Sequence, residues 1–252
     1  MTAIATLKRG MTEWRPEAVK LKMSTYLVSA NLPPIPATFG HVHSPAPAGG
    51  WGMLGNSECG DCVLAGAAHE TMVFAWATGK PIPTFTPVNV REQYRELTGG
   101  PDTGLDPIAT AKWRVSTGLT DANGGVHTIK AFGAISGQKE LEQAVYLFGA
   151  CGIGLALPDT AEQQFLHREP WNDLTSEPNP KNGHYVPVVG KNSKGQLMVV
   201  TWGRLHAMVP AYFFRYAVGG LCYMSLEYLT DTGKSPELFD EAQLDADLAA
   251  LG

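Results

Sequence analysis

Two cysteines three positions apart, Cys59 and Cys62, stand directly before an apolar run in the stretch NSECGDCVLAGAAHE, residues 56 to 70. Such spacing suits a metal clip, a redox pair, two core thiols or the mounting of a nucleophile. A zinc clip asks for a second pair or two histidines at compatible spacing, and the remaining cysteines, Cys151 and Cys222, are isolated. A thioredoxin-like site asks for a preceding strand, where this chain has glycine-rich sequence. The nucleophile reading has a physical basis. If a helix begins at about Asp61 or Cys62, the Cys62 thiol sits in its first turn, where unpaired N–H groups and the helix dipole favour a thiolate. The same N–H groups can donate to an oxyanion. Gly60, Ala65 and Gly66 leave room for a close backbone approach. Cys59 precedes the turn and lacks these advantages.

A thiolate needs a base, and the chain has histidines at 41, 43, 69, 127, 167, 184 and 206. His69 lies seven positions beyond Cys62, on the same helix face but about 10 Å along the axis, so it reads as a buried, hydrogen-bonded residue below the site. His41 and His43 alternate without a third ligand in view. His184 opens an apolar strand, GHYVPVVGK, after a polar loop, which would hold it rigidly at a cleft edge.

The elements that position these residues follow from pattern. DCVLAGAAHETMVFAWAT reads as a buried helix, apolar on nearly every side, started by Asp61 and stopped by Gly79 and Pro81. Further helices are expected near TPVNVREQYRELTG and LDPIATAKWRVSTG, each closed by glycine, and at ELEQAVYLF. The second half reads as strands: GACGIGLALP, HYVPVVGK, QLMVVTWG and the apolar YFFRYAVGGLCYMSLEYL. Helices early and strands late make an α+β protein. Residues 1–50 read as an N-terminal extension bracing the body. Residues 51–218 read as the main domain, with a helical lobe over about 51–135 and a β lobe over about 136–218, and 219–252 as a C-terminal extension of it.

Composition narrows the function. A formal charge of -5 with scattered basic residues gives no footprint for DNA or RNA. The opening residues lack a secretory signal's apolar core, and YLFGACGIGLALP is too short to cross a membrane, so a cytoplasmic protein is the expectation. Four dispersed cysteines do not build a disulfide scaffold in a chain of 252 residues.

Taken together, these motifs resemble the papain-like cysteine peptidases over roughly residues 50 to 218. Cys59-Gly60-Asp61-Cys62 is similar to the family's Cys-Gly-Ser-Cys at the start of its central helix, which makes Cys62 the implied nucleophile. The family's oxyanion glutamine, six residues earlier, lands on Asn56. TGLDPIATAKW resembles the glycine-leucine-aspartate segment beside the substrate cleft, so Leu105 and Asp106 are implied cleft residues alongside Gly60 and Asp61. GHYVPVVGK resembles the histidine strand, with His184 as base. VVTWG matches the family's Asn-Ser-Trp-Gly in part, with Trp202 as the shield over the imidazole. Counting from His184 puts the orienting asparagine at Val200, which cannot accept a hydrogen bond. Thr201 can substitute only if the strand register shifts by one. The chain also resembles phage and bacterial proteins with a Gly-Asp-Cys helix start and a Thr-Trp-Gly strand. Cys59 has no partner near position 100, so the family disulfide is expected to be absent.

The resemblance implies a papain-like fold, its helical half and central nucleophile helix packed on an antiparallel β half. It implies acyl transfer at a peptide or other small amide through a Cys62-His184 dyad, without cofactor or metal. Two other readings stand beside it: a non-catalytic papain-like binding or structural protein, whose signature is a blocked cleft, and a small-molecule amidase or acyltransferase.

Overall fold

The apolar run behind Cys62 forms a 16-residue helix, and a seven-stranded sheet packs across it. In this computed structural model the described residues are 7–12, 14–26, 33–41 and 50–229, with isolated helical positions 242, 246 and 249; His43 lies outside them. In chain order the elements are α1 (Met23–Tyr26), β1 (Phe39–Gly40), α2 (Cys62–Ala77), α3 (Pro87–Thr98), α4 (Pro107–Ser116), β2 (Leu119–Thr120), β3 (Val126–His127), β4 (Ala131–Ile135), α5 (Gln138–Phe148), β5 (Cys151–Ala156), α6 (Thr160–Leu166), β6 (Gly183–Lys191), β7 (Leu197–Thr201), β8 (Arg204–Met208), α7 (Pro210–Tyr216) and β9 (Ala217–Met224). Short 3-10 turns punctuate them at Pro16–Ala18, Pro180–Asn182 and Leu226–Tyr228.

The expected helices form for the expected local reasons. Thr86 and Asn89 close a reciprocal capping box on α3, Pro87 takes the first helical position, and Gly99 ends the helix at φ 69°. Asp106 caps α4 by accepting from the N–H groups of Ile108 and Ala109. The segment YFFRYAVGGLCYM, which reads as one apolar run, divides into α7 and β9.

The sheet is antiparallel throughout, in the order β4-β9-β5-β6-β7-β8, with β1 added at the end of β6. Strand β9 lies inside the sheet, between β4 and β5, so the sheet draws residues from both sides of position 218. Alternate side chains serve two cores. Tyr185, Val189 and Val200 join the one built by α2, α3 and α4, while Val186, Val188 and Val199 join the one under α5, α6 and α7. This is the α+β, papain-like arrangement expected from the sequence: a helical half around α2 against an antiparallel half.

Close contact between α2 and β6 fixes the frame of the site. Gly66 faces Tyr185 so closely that a Cβ there would sit 2.6 Å from two ring carbons. Beneath that contact lies a buried polar cluster. The Arg114 guanidinium pairs with Glu70, the Tyr185 hydroxyl donates to Glu70 Oε1 at 2.7 Å, and the Tyr185 and Tyr223 hydroxyls lie 2.7 Å apart. Every member is buried, so each charge and hydroxyl depends on these partners.

Candidate active site

Cys62 is the first residue of α2, and Asp61 occupies the N-cap without a side-chain capping bond. The Cys62 sulfur accepts from the Tyr185 N–H at 3.4 Å, and the backbone N–H groups of Gly10 and Val63 also face it. His184 begins the buried face of β6. Its Nε2 lies 2.8 Å from Thr201 Oγ1, and its ring stacks on Trp202 with centroids 4.5 Å apart and planes 18° from parallel. His184 Nδ1 is buried and has no hydrogen-bond partner. Both residues line one narrow cavity of about 10 Å³, room for about one water, with Asn56, His69, Val200, Thr201 and Trp202.

Thr201 reaches His184 because the register does shift by one. Near the far end of β6, Gly190 pairs with Met198, but after the irregularity at Val189 it is Val188 that pairs with Val199. That extra residue turns Thr201 onto the face of His184 and turns Val200 into the α2 core. The orienting position inferred from spacing, Val200, is therefore corrected to Thr201. Strands β7 and β8 then join through a two-residue turn in which Trp202 (φ 42°) and Gly203 (φ 77°) are both left-handed. A tryptophan seldom adopts that conformation, and here it holds the indole flat on the imidazole.

The other sequence-derived residues divide. Asn56 is buried at the cavity, where its Nδ2 donates to the Cys59 carbonyl at 3.3 Å. Gly60 lies beside the site and donates its N–H to Asp102. Leu105 bonds through its backbone to the N-terminal segment, but the Asp106 carboxylate is taken up in capping α4. Asp61 is fully buried; burial is the main cause that pushes its pKa up to about 7, against the pull of the neighbouring Asn56 amide and Cys59 thiol. His69 donates from Nε2 to the Trp51 and Gly52 carbonyls and is held down to about 4 by burial. His41 packs edge-on to Trp76. All four cysteines are free thiols, and no group of three or more potential metal ligands occurs among the described residues.

Residues 8–12 were not singled out by sequence reasoning, since KRGMT has no periodicity and no motif. They cross the site as an extended strap. The Lys8 N–H donates to the Asn56 carbonyl, the Lys8 carbonyl accepts from Trp202 Nε1, the Gly10 carbonyl accepts from Leu105 N–H at 2.8 Å, Met11 N–H donates to Gly183 and Thr12 N–H to Leu105. The strap adds to the electrostatics of Cys62 and His184: the Gly10 N–H lowers the thiol pKa, against burial, and the Arg9 charge lowers that of the imidazole. Burial pushes the Cys62 thiol up to about 12, and burial together with the nearby Arg9 guanidinium holds His184 down to about 3. Both groups are thus neutral in this closed state, and they are not hydrogen-bonded to each other.

No protein-family model and no curated protein matches the chain. Solved structures do. Xylellain, a cysteine protease from Xylella fastidiosa, superposes with a TM-score of 0.59 at 10% identity over 89% of this chain and 99% of its own. Procathepsin L 3 from the larval midgut of Tenebrio molitor gives 0.57 at 13% identity, covering 88% of this chain and 77% of its own. The procathepsin B S9 of Trypanosoma congolense gives 0.57 at 11% identity, with 86% of each chain covered. At such identity the likeness is one of architecture, and the architecture of this chain is that of the papain-like cysteine proteases.

Proposed function

We propose that the protein is a thiol-dependent amide hydrolase of the cysteine-peptidase type, held closed by its own residues 8–12. The observation that carries this reading is the state of His184: fixed by Thr201 on one ring nitrogen and by Trp202 across its face, with Nδ1 unpartnered in the cavity that Cys62 lines. A buried nitrogen without a partner is costly for a purely structural residue and is what a base awaiting a proton requires.

In the mechanism, displacement of the strap readmits water and substrate and reverses the burial that keeps both groups neutral. His184 Nδ1 then takes the Cys62 proton, and the thiolate attacks the amide carbonyl. The Cys62 N–H at the start of α2 and the Asn56 amide, once freed from the Cys59 carbonyl, receive the oxyanion. The imidazolium protonates the departing amine and afterwards activates the water that releases the acyl group.

The test is acylation by p-nitrophenyl acetate, with Cys62 adducts read by mass spectrometry in wild type, Gly10→Val, Cys62→Ser and His184→Ala proteins. The reading expects Cys62 adducts in Gly10→Val above wild type and none in the other two. A second reading, a non-catalytic binding protein, is favoured by the filled cleft; an inert Cys62 in a folded Gly10→Val protein would establish it.

A further inference from the structure

One peptide group just ahead of Cys62 is held at both ends. The Cys59 carbonyl accepts from Asn56 Nδ2 at 3.3 Å, and the Gly60 N–H of the same peptide bond donates to Asp102 Oδ1 at 2.9 Å. Asp102 reaches back to this turn because Gly99 and Gly100, at φ 69° and 111°, reverse the chain after α3. Tyr94 on α3 then fixes the carboxylate: its hydroxyl donates to Asp102 Oδ1 at 2.7 Å and accepts from the Gly104 N–H at 2.8 Å. A carboxylate oxygen shared by a peptide N–H and a buried phenol is a strong anchor. The turn's own side chains do not replace it. Asp61 makes no side-chain capping bond, and Cys59 is a free thiol, so no disulfide ties the turn to the loop after α3.

Resting on the hydrolase reading, in which the Asn56 amide leaves the Cys59 carbonyl for the oxyanion, we propose that Asp102 is a positioning residue for acylation. It holds the Cys59–Gly60 peptide, and with it the start of α2, in place while Asn56 changes partners. A turn that followed the amide would carry the Cys62 N–H with it, and the two donors would no longer converge on one oxygen. Displacement of the strap also removes the Lys8 N–H bond to the Asn56 carbonyl, so the Gly60 bond to Asp102 is the anchor from outside the turn that remains. Asp102 touches no reacting atom and acts through the turn alone. It is solvent-exposed, so replacing it disturbs neither core.

Two readouts separate this role from general support of the fold. Hydrogen exchange at the Gly60 amide is followed by NMR in the wild-type, Asp102→Ala and Asp102→Asn chains. Alanine is expected to speed it at least about tenfold, and asparagine, whose amide oxygen still accepts, to speed it less. Cys62 chemistry is followed in the same chains with the strap displaced by Gly10→Val, since a Cβ on Gly10 would lie 1.8 Å from the Gly60 carbonyl oxygen. Should that variant fold poorly, Arg9→Glu, which sets a carboxylate against Glu162, displaces the strap instead. p-Nitrophenyl acetate acylates the thiol: an S–C bond forms at the carbonyl, the ester C–O bond breaks, p-nitrophenolate leaves and the thiol proton passes to His184. Iodoacetamide alkylates it by displacing iodide at a saturated carbon, and no oxyanion forms. Asp102→Ala is expected to slow saturating acylation at least about tenfold and alkylation by less than about twofold, with Asp102→Asn recovering part of the acylation rate. Unchanged Gly60 exchange, unchanged acylation, or an equal fall in acylation and alkylation overturns the proposal. Alkylation of Cys62 without acylation in the strap-displaced protein that keeps Asp102 sinks the hydrolase reading instead, and Gly60 exchange then decides the Asp102 anchor by itself.

Discussion

His184 Nε2 and Thr201 Oγ1 meet at 2.8 Å because β6 carries one more residue than β7 between their two registers. A hydroxyl thus occupies the place where the resemblance calls for a side-chain amide. When the hydroxyl accepts from Nε2, the lone pair of Nδ1 is left toward the cavity, which is the tautomer a base needs. Thr201→Val keeps shape and removes the acceptor. It should lower acylation of Cys62 by roughly 10²-fold and destabilise the fold by about 1–3 kcal/mol through the buried, unpaired nitrogen. Val200→Asn should not raise activity, because that side chain points into the α2 core; it should only lower the melting temperature. Acylation rates and melting curves of both variants check this, and a gain of activity in Val200→Asn would show that the bulge does not set the partner.

Asp61 gives the fold a pH dependence of definite sign. Its folded pKa, about 7, lies above the ordinary 3.8, so the native state holds the proton that the unfolded chain releases. Stability should therefore fall as pH rises from about 4 to 7 and level off beyond. The total is on the order of a few kcal/mol, since each pKa unit is worth about 1.4 kcal/mol. Asp61→Asn should flatten that slope in denaturant melts at pH 4, 5.5 and 7. The ionised carboxylate also opposes the Cys62 thiolate, so the variant should lower the pH at which Cys62 reacts once the strap is displaced.

A second titration runs in a different window and is structural. His127 on β3 contacts Glu227 through Nδ1 and lies 3.5 Å from Asp121 through Nε2, tying the chain after β9 to the β2-β3 hairpin. The Glu227 hydrogen bond is the main cause that raises its pKa above 6.5. A raised histidine pKa means that the folded state favours the charged ring, so the contribution is complete below pH 6.5 and is lost as pH climbs through the raised value. The melting-temperature gap between wild type and His127→Gln should accordingly be largest near pH 6 and shrink toward pH 9. A gap independent of pH would show that the ring acts by packing alone.

Much of this fold was legible in residue pattern, and the parts that were not share a cause. Helix α2 could be read because alanine, leucine, methionine and aromatic residues dominate it on nearly every side and Cys62 stands at its start. The His184 strand could be read because a polar loop gives way abruptly to GHYVPVVGK. The partner of His184 could not, since a single unpaired residue at Val189 decides which neighbour faces it, and valine carries no mark of a bulge. The strap escaped for a related reason: Lys8 to Thr12 bind through backbone groups that every residue has, and only the need for glycine at position 10 leaves a trace in the sequence. Tyr185 and Glu70 looked like ordinary members of apolar runs, although they hold the two halves of the site together.

That last cluster sets the final prediction. Glu70 lies two turns beyond Cys62 on α2, and Tyr185 is the residue after His184, so the bonds from Arg114 to Glu70 and from Tyr185 to Glu70 tie the nucleophile helix to the histidine strand. Removing one charge leaves the other buried without compensation. Glu70→Leu or Arg114→Met alone should cost about 3–5 kcal/mol, and the double variant less than the sum of the two. Glu70→Gln retains an acceptor for the Tyr185 hydroxyl but loses the charge. If the cluster positions the dyad, Gln should restore part of the Cys62 acylation rate lost in Glu70→Leu at temperatures where both proteins are folded. Chemical denaturation gives the energies and single-turnover acylation gives the rates. Additive energies would mean that Glu70 and Arg114 act independently, and equal rates in the Leu and Gln variants would confine the cluster to stability.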